Sequence, residues 1–137
     1  MKPYHALLLV IPLLSTSWAT EETSAKKDSV IHIDVSHATQ ILASPDKRQR
    51  PYVIDIRTPE EFKAGHLSGA LSIDFLADDF STKIRKLDRD TPYLVHCQSG
   101  GRSSNSLTLW TKLGFTKIYH LDGGLLAWKK AGLPVVK

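Results

Sequence analysis

The residues of this chain best suited to chemistry lie in one run, Tyr93-Leu-Val-His96-Cys97-Gln98-Ser99-Gly100-Gly101-Arg102-Ser103-Ser104. Its cysteine, the single one in the chain, follows an apolar strand-like segment and enters a glycine-bearing loop that opens a helical pattern. A thiol at such a junction meets the unpaired N–H groups of a helix's first turn and the positive end of its dipole. Both favour the thiolate, which is the nucleophilic form. Gly100 and Gly101 let backbone N–H groups from Gln98 to Ser103 converge, and Arg102 adds a guanidinium suited to anions. A buried packing cysteine is the plainer alternative, since free Cys is often interior, but the glycines and Arg102 suit a loop.

Around this run, apolar segments alternate with helical ones. Val30–Asp34 reads as a strand, and Ser36 as the N-cap of a helix to about Ala43. Tyr52–Ile56 reads as a buried strand. Thr58-Pro59-Glu60-Glu61 supplies an N-cap, a proline at the first helical position and a capping-box glutamate, and Gly65 suits the helix end. Ala70–Ile73 is a further strand, and Phe80–Leu87 a helix with Phe80, Ile84 and Leu87 on one face. Tyr93–His96 leads into Cys97. The next helix runs to about Leu113 with Leu107, Leu109, Trp110 and Leu113 inward, and Gly114 ends it. Lys117–Leu121 is the last strand and Leu125–Lys130 the last helix. Strands separated by helices imply a mostly parallel sheet covered on both faces, with ligands bound beyond the carboxyl ends of the strands, where Cys97 sits.

The N-terminal residues 1–19 read as a signal peptide: Lys2, an apolar run from Ala6 to Leu14, then Ser17-Trp18-Ala19 as a small-x-small cleavage site. The run is too short to span a bilayer, so no stable membrane insertion is expected after cleavage, and the destination is the periplasm or the exterior. Residues 20–29 read as a flexible polar leader, and 30–137 as one domain. The lone cysteine excludes an internal disulfide and a resolving partner for dithiol chemistry. The net charge of +4 is mild. Lys47, Arg48 and Arg50 lack the interleaved aromatics of a nucleic-acid surface, and none is expected. His32, His37 and His120 are scattered with no ligand spacing, so no metal or other cofactor is expected. Oligomeric state stays open.

Three motifs carry a resemblance. Asp55-Ile-Arg57-Thr-Pro-Glu-Glu61-Phe62-Lys-Ala-Gly65-His66-Leu-Ser-Gly69-Ala70, the Cys97 loop, and Gly123-Gly124-Leu-Leu-Ala-Trp128 through Pro134 together resemble rhodanese domains, in the right order from about Ile31 to Pro134. The resemblance implies a five-stranded parallel sheet flanked by helices, and a sulfurtransferase in which Cys97 takes sulfane sulfur from thiosulfate or a related small anionic donor. The resulting persulfide passes to cyanide or a thiol acceptor. Gln98, Ser99, Gly100, Gly101, Arg102 and Ser103 are then the binding loop, with Arg102 attracting the donor, while Asp55 and Arg57 brace the sheet end. His66 is a hydrogen-bonding turn residue. His96 should point away from Cys97 by strand alternation. Gln98 stands where many thiosulfate-specific members carry an arginine. Two other readings keep the same residues: a persulfide carrier without rapid turnover, and a cysteine-dependent phosphatase or arsenate reductase of the same fold. The latter have C-x5-R, whereas Cys97-x4-Arg102 is one residue shorter and its smaller N–H ring suits one sulfur atom.

Overall fold

The computed structural model describes residues 29–137. The expected signal peptide and nearly all of the expected leader lie outside those residues. Among the described residues, ten elements alternate strictly: β1 (Val30–Ile33), α1 (Val35–Leu42), β2 (Tyr52–Asp55), α2 (Pro59–Ala64), β3 (Leu71–Ser72), α3 (Phe80–Arg85), β4 (Tyr93–His96), α4 (Gly101–Lys112), β5 (Ile118–Leu121) and α5 (Gly124–Lys130). The strands form one parallel sheet in the order β1-β5-β4-β2-β3. Just before β1, the Ser29 carbonyl accepts from Ile118 N–H of β5.

The pleat divides the apolar residues between two cores. Ile54, Tyr93, Val95, Cys97 and Ile118 face Phe80 and Ile84 of α3 and Trp110 of α4. Val53, Leu94, Tyr119 and Leu121 face Ala38 of α1 and Leu125 and Trp128 of α5. All residues of β4 and β5 are buried, as a central parallel strand covered on both faces requires.

Several boundaries differ from the sequence expectation for local reasons. Helix α1 is capped by Asp34, whose carboxylate accepts from His37 N–H at 2.8 Å, so Ser36 lies inside the helix. Strand β3 is two residues long, but Ile73 and Phe75 N–H still bond to Asp55 and Ile56 carbonyls. Helix α3 stops at Arg85. In α4, Trp110 is fully buried, Leu107, Leu109 and the C-cap Leu113 are half-buried, and the other buried places go to Ser103 and Ser106. The capping box of α2 forms as the sequence indicates, with Thr58 and Glu61 bonding each other's backbone N–H.

Candidate active site

Strand β4 delivers Cys97 to the carboxyl edge of the sheet, between β5 and β2, with 1% of its surface exposed. Two N–H groups of α5 hold the start of the loop: Leu125 donates to the Cys97 carbonyl and Leu126 to that of Gln98, both at 2.9 Å. Gly124 permits this approach, since at φ +56° a Cβ would stand 2.5 Å from the Cys97 carbonyl oxygen.

The loop closes on the sulfur. Helix α4 has Gly100 as its N-cap, at φ +107°, and glycine offers no side chain to cap it. Cys97 Sγ takes that place, accepting from Gly100 N–H at 3.2 Å and from Ser103 N–H at 3.4 Å. An N-cap side chain accepts from the N3 amide in the same way. The Ser103 hydroxyl lies 3.4 Å from Sγ. Burial, the largest single influence on the thiol, opposes its ionisation. The Ser103 hydroxyl and the N–H groups of Ser103, Gly100 and Ser99 together outweigh it and hold Cys97 below the ordinary thiol value. Thiolate favoured by hydrogen bonds in a closed loop is the chemical content of the site.

On the β2 side the charges are paired. Arg57 is 3% exposed and its fork holds the carboxylate of Asp55, itself fully buried, with Nη2 to Oδ2 at 2.7 Å. Arg57 also donates to Gly65 O at 2.7 Å and to Gln98 Oε1 at 3.3 Å. The pair thus ties the end of β2, the turn after α2 and the cysteine loop together. Gln98 faces Arg57 with its side chain.

Arg102 departs from the sequence expectation. Its guanidinium does not lie open for a donor anion but forms two parallel 2.8 Å bonds to Glu61 of the α2 capping box. The Arg102 bonds, foremost among several influences, hold the Glu61 carboxyl down at about 2. A bidentate pair of this kind fixes geometry and cancels charge, so the pull on an anion here comes from the backbone N–H groups around Sγ.

His96 points to the face opposite Cys97. It is fully buried, and burial, against the opposing pull of Asp55, lowers its pKa and keeps it neutral. Its Nδ1–H donates to the Cys97 carbonyl at 3.0 Å. Among the described residues its Nε2 is buried without a hydrogen-bond partner, 3.7 Å from Asp55 Oδ2. His66, expected in a turn, instead forms an isolated antiparallel bridge with Val136, each N–H donating to the other's carbonyl at 2.9 Å; its Nδ1–H donates to Phe62 O and its ring stacks on Phe62.

The expectation that the histidines are scattered is corrected by the sheet. Parallel pairing of β1 with β5 sets His32 directly beside His120, and Asp122 follows one residue after β5. The three form one cluster. His120 Nε2 lies 2.7 Å from Ser103 Oγ, so the cluster reaches the cysteine loop. Sequence reasoning missed it because the partners are 88 and 90 positions apart. The His-x-Asp at 120–122 was the available signal, and it gains meaning once β1 is known to lie beside β5.

The chain belongs to the rhodanese-like domain family, whose model matches residues 23–131. It is 38% identical over 84 residues to thiosulfate sulfurtransferase GlpE of Pseudomonas putida, covering 61% of this chain and 74% of that protein. An uncharacterized Synechocystis protein is 36% identical over 104 residues, which is 76% of this chain but 57% of that one. Among solved structures, a rhodanese-related protein from Thermoplasma volcanium is similar with a TM-score of 0.66 and 28% identity, over 77% of this chain and 96% of that one.

Proposed function

We propose that this protein is a sulfurtransferase working through a persulfide on Cys97, with thiosulfate or a related small anion as donor. The Cys97 thiolate attacks the outer sulfur of thiosulfate. The S–S bond breaks and its electron pair leaves with sulfite, so Cys97 carries a second, anionic sulfur. Cyanide or a thiolate then attacks that outer sulfur and restores the Cys97 thiolate. This is two-step covalent catalysis with ping-pong kinetics, and it needs no general base when the thiolate is already favoured. The observation that carries the reading is the pair of N–H groups, Gly100 and Ser103, directed at Sγ. Such preorganised donors stabilise an anion at the reacting atom. The relatives named thiosulfate sulfurtransferase support the same donor. Near-complete burial of Cys97 favours a second reading, a carrier that loads sulfur and releases it slowly to a docked acceptor.

Mass spectrometry after thiosulfate treatment, beside steady-state thiosulfate:cyanide turnover, tests both. Wild type should gain one sulfur atom and turn over, while Cys97→Ser should do neither. Loading without turnover selects the carrier, and turnover retained in Cys97→Ser overturns the covalent route. Action outside the cytoplasm is likewise our proposal, from residues 1–19; a mature protein that does not begin near Thr20 after expression overturns it.

A further inference from the structure

We propose that His32, His120 and Asp122 form a binding site for a divalent first-row transition-metal ion, at the sheet edge beside the cysteine loop. Three donor atoms converge there: His32 Nδ1 and Asp122 Oδ1 are 3.0 Å apart, His120 Nδ1 and Asp122 Oδ1 are 3.0 Å apart, and the two Nδ1 atoms are 3.1 Å apart.

Hydrogen bonding alone does not account for this triangle. A carboxylate carries no proton and each neutral imidazole nitrogen at most one, so at most two of the three contacts can be hydrogen bonds at once. If both nitrogens donate to Asp122, two N–H groups face each other at 3.1 Å. If one nitrogen donates to the other, the bare one meets the carboxylate lone pair to lone pair. One cation in contact with all three removes the conflict. The sides of the triangle match an ion roughly 2.1 Å from each donor with angles of about 90°, one face of an octahedron, the arrangement of two-histidine, one-carboxylate sites. Two neutral imidazoles with one carboxylate suit the Fe2+, Co2+ and Zn2+ class better than Mg2+ or Ca2+.

The surroundings supply the rest of a site. The His32 and Asp122 side chains are 55% and 56% exposed, which gives an entry path and leaves the remaining coordination positions to water. His120 is 4% exposed at its side chain and is oriented from behind by Ser103 Oγ at 2.7 Å from its Nε2. A ligating histidine is commonly held through its other ring nitrogen in this way. With Nδ1 on an ion, the ring proton sits on Nε2 and is donated to Ser103 Oγ, leaving the hydroxyl proton to Cys97 Sγ or the Gly100 carbonyl. The ion and the sulfur are therefore joined by two hydrogen-bonded residues, without Cys97 being a ligand.

Untagged, chelator-stripped protein titrated with Co2+ tests the site, followed by visible absorption and by metal stoichiometry after gel filtration. Wild type and Cys97→Ser should each bind one ion with the weak visible band of an oxygen- and nitrogen-ligated, five- or six-coordinate centre. His32→Ala and Asp122→Asn, both at half-exposed positions away from the sulfur, should weaken binding by at least about tenfold. Unchanged affinity in these two variants, loss of binding in Cys97→Ser, or no Co2+ uptake by wild type overturns the proposal.

Discussion

The two flanks of the cysteine loop are built on opposite principles. Toward β2, the two cations nearest the loop each have a fixed opposite: Arg57 holds Asp55 and Arg102 holds Glu61, each through a two-pronged contact. Toward β5, polar groups run in series from Cys97 through Ser103 and His120 to the half-exposed His32 and Asp122. The first flank is a frame, since planar forks specify position and cancel field. The second runs between a thiol and a carboxylate through hydroxyl and imidazole groups, whose protons can sit on either side of a bond. Shape is set on one side of the sulfur and proton placement on the other.

The largest expected effect breaks the frame. Asp55→Ala removes one partner of a buried pair and leaves the Arg57 charge uncompensated, which should cost about 3–5 kcal/mol in urea unfolding. A double variant with both residues replaced by apolar ones of similar volume should recover much of that loss. A cost under about 1 kcal/mol for Asp55→Ala would mean the β2 flank is not a rigid frame.

A smaller effect separates the flanks. Ser103→Ala deletes the hydroxyl next to Sγ, the foremost of the groups that favour the thiolate. The pH midpoint for alkylation of Cys97 by iodoacetamide should rise, because the charged form loses a donor while burial still opposes it. An unmoved midpoint would assign the thiolate to the backbone N–H groups alone.

The smallest effect concerns the outer pair. Glu61→Gln should cost no more than about 1 kcal/mol, since the Arg102–Glu61 contact is partly solvated. The folded carboxyl lies at about 2 against an ordinary value of 4.5. Its stabilisation is thus fully present above the ordinary value and disappears as pH falls toward 2. The wild-type-minus-variant difference in unfolding free energy should shrink over that window, and a difference that persists at its lower end has another source.

What the sequence disclosed follows the range of the interactions. The Cys97 loop, the α2 capping box and the alternation of strands with helices are local patterns, each legible within a dozen residues. Asp34 replaced Ser36 as the α1 cap because both are capping types two positions apart, and only the strand end decides between them. Arg102 was readable as a cation beside Cys97, but its partner Glu61 lies 41 positions away. That partner changes its meaning from an open charge to a strut. The His32–His120 pair needed the β1–β5 register, which no local pattern encodes.

The place of Cys97 Sγ as the cap of α4 makes the state of one atom and the integrity of a helix end a single equilibrium. Whatever charges the sulfur tightens the first turn, and whatever neutralises it leaves the Gly100 and Ser103 amides a weaker acceptor. By reciprocity, any contact that holds the first turn of α4 in place makes the sulfur easier to ionise. Hydrogen exchange at the Ser103 amide should therefore follow the chemical history of the cysteine, turning a backbone position into a gauge of the side chain six residues before it.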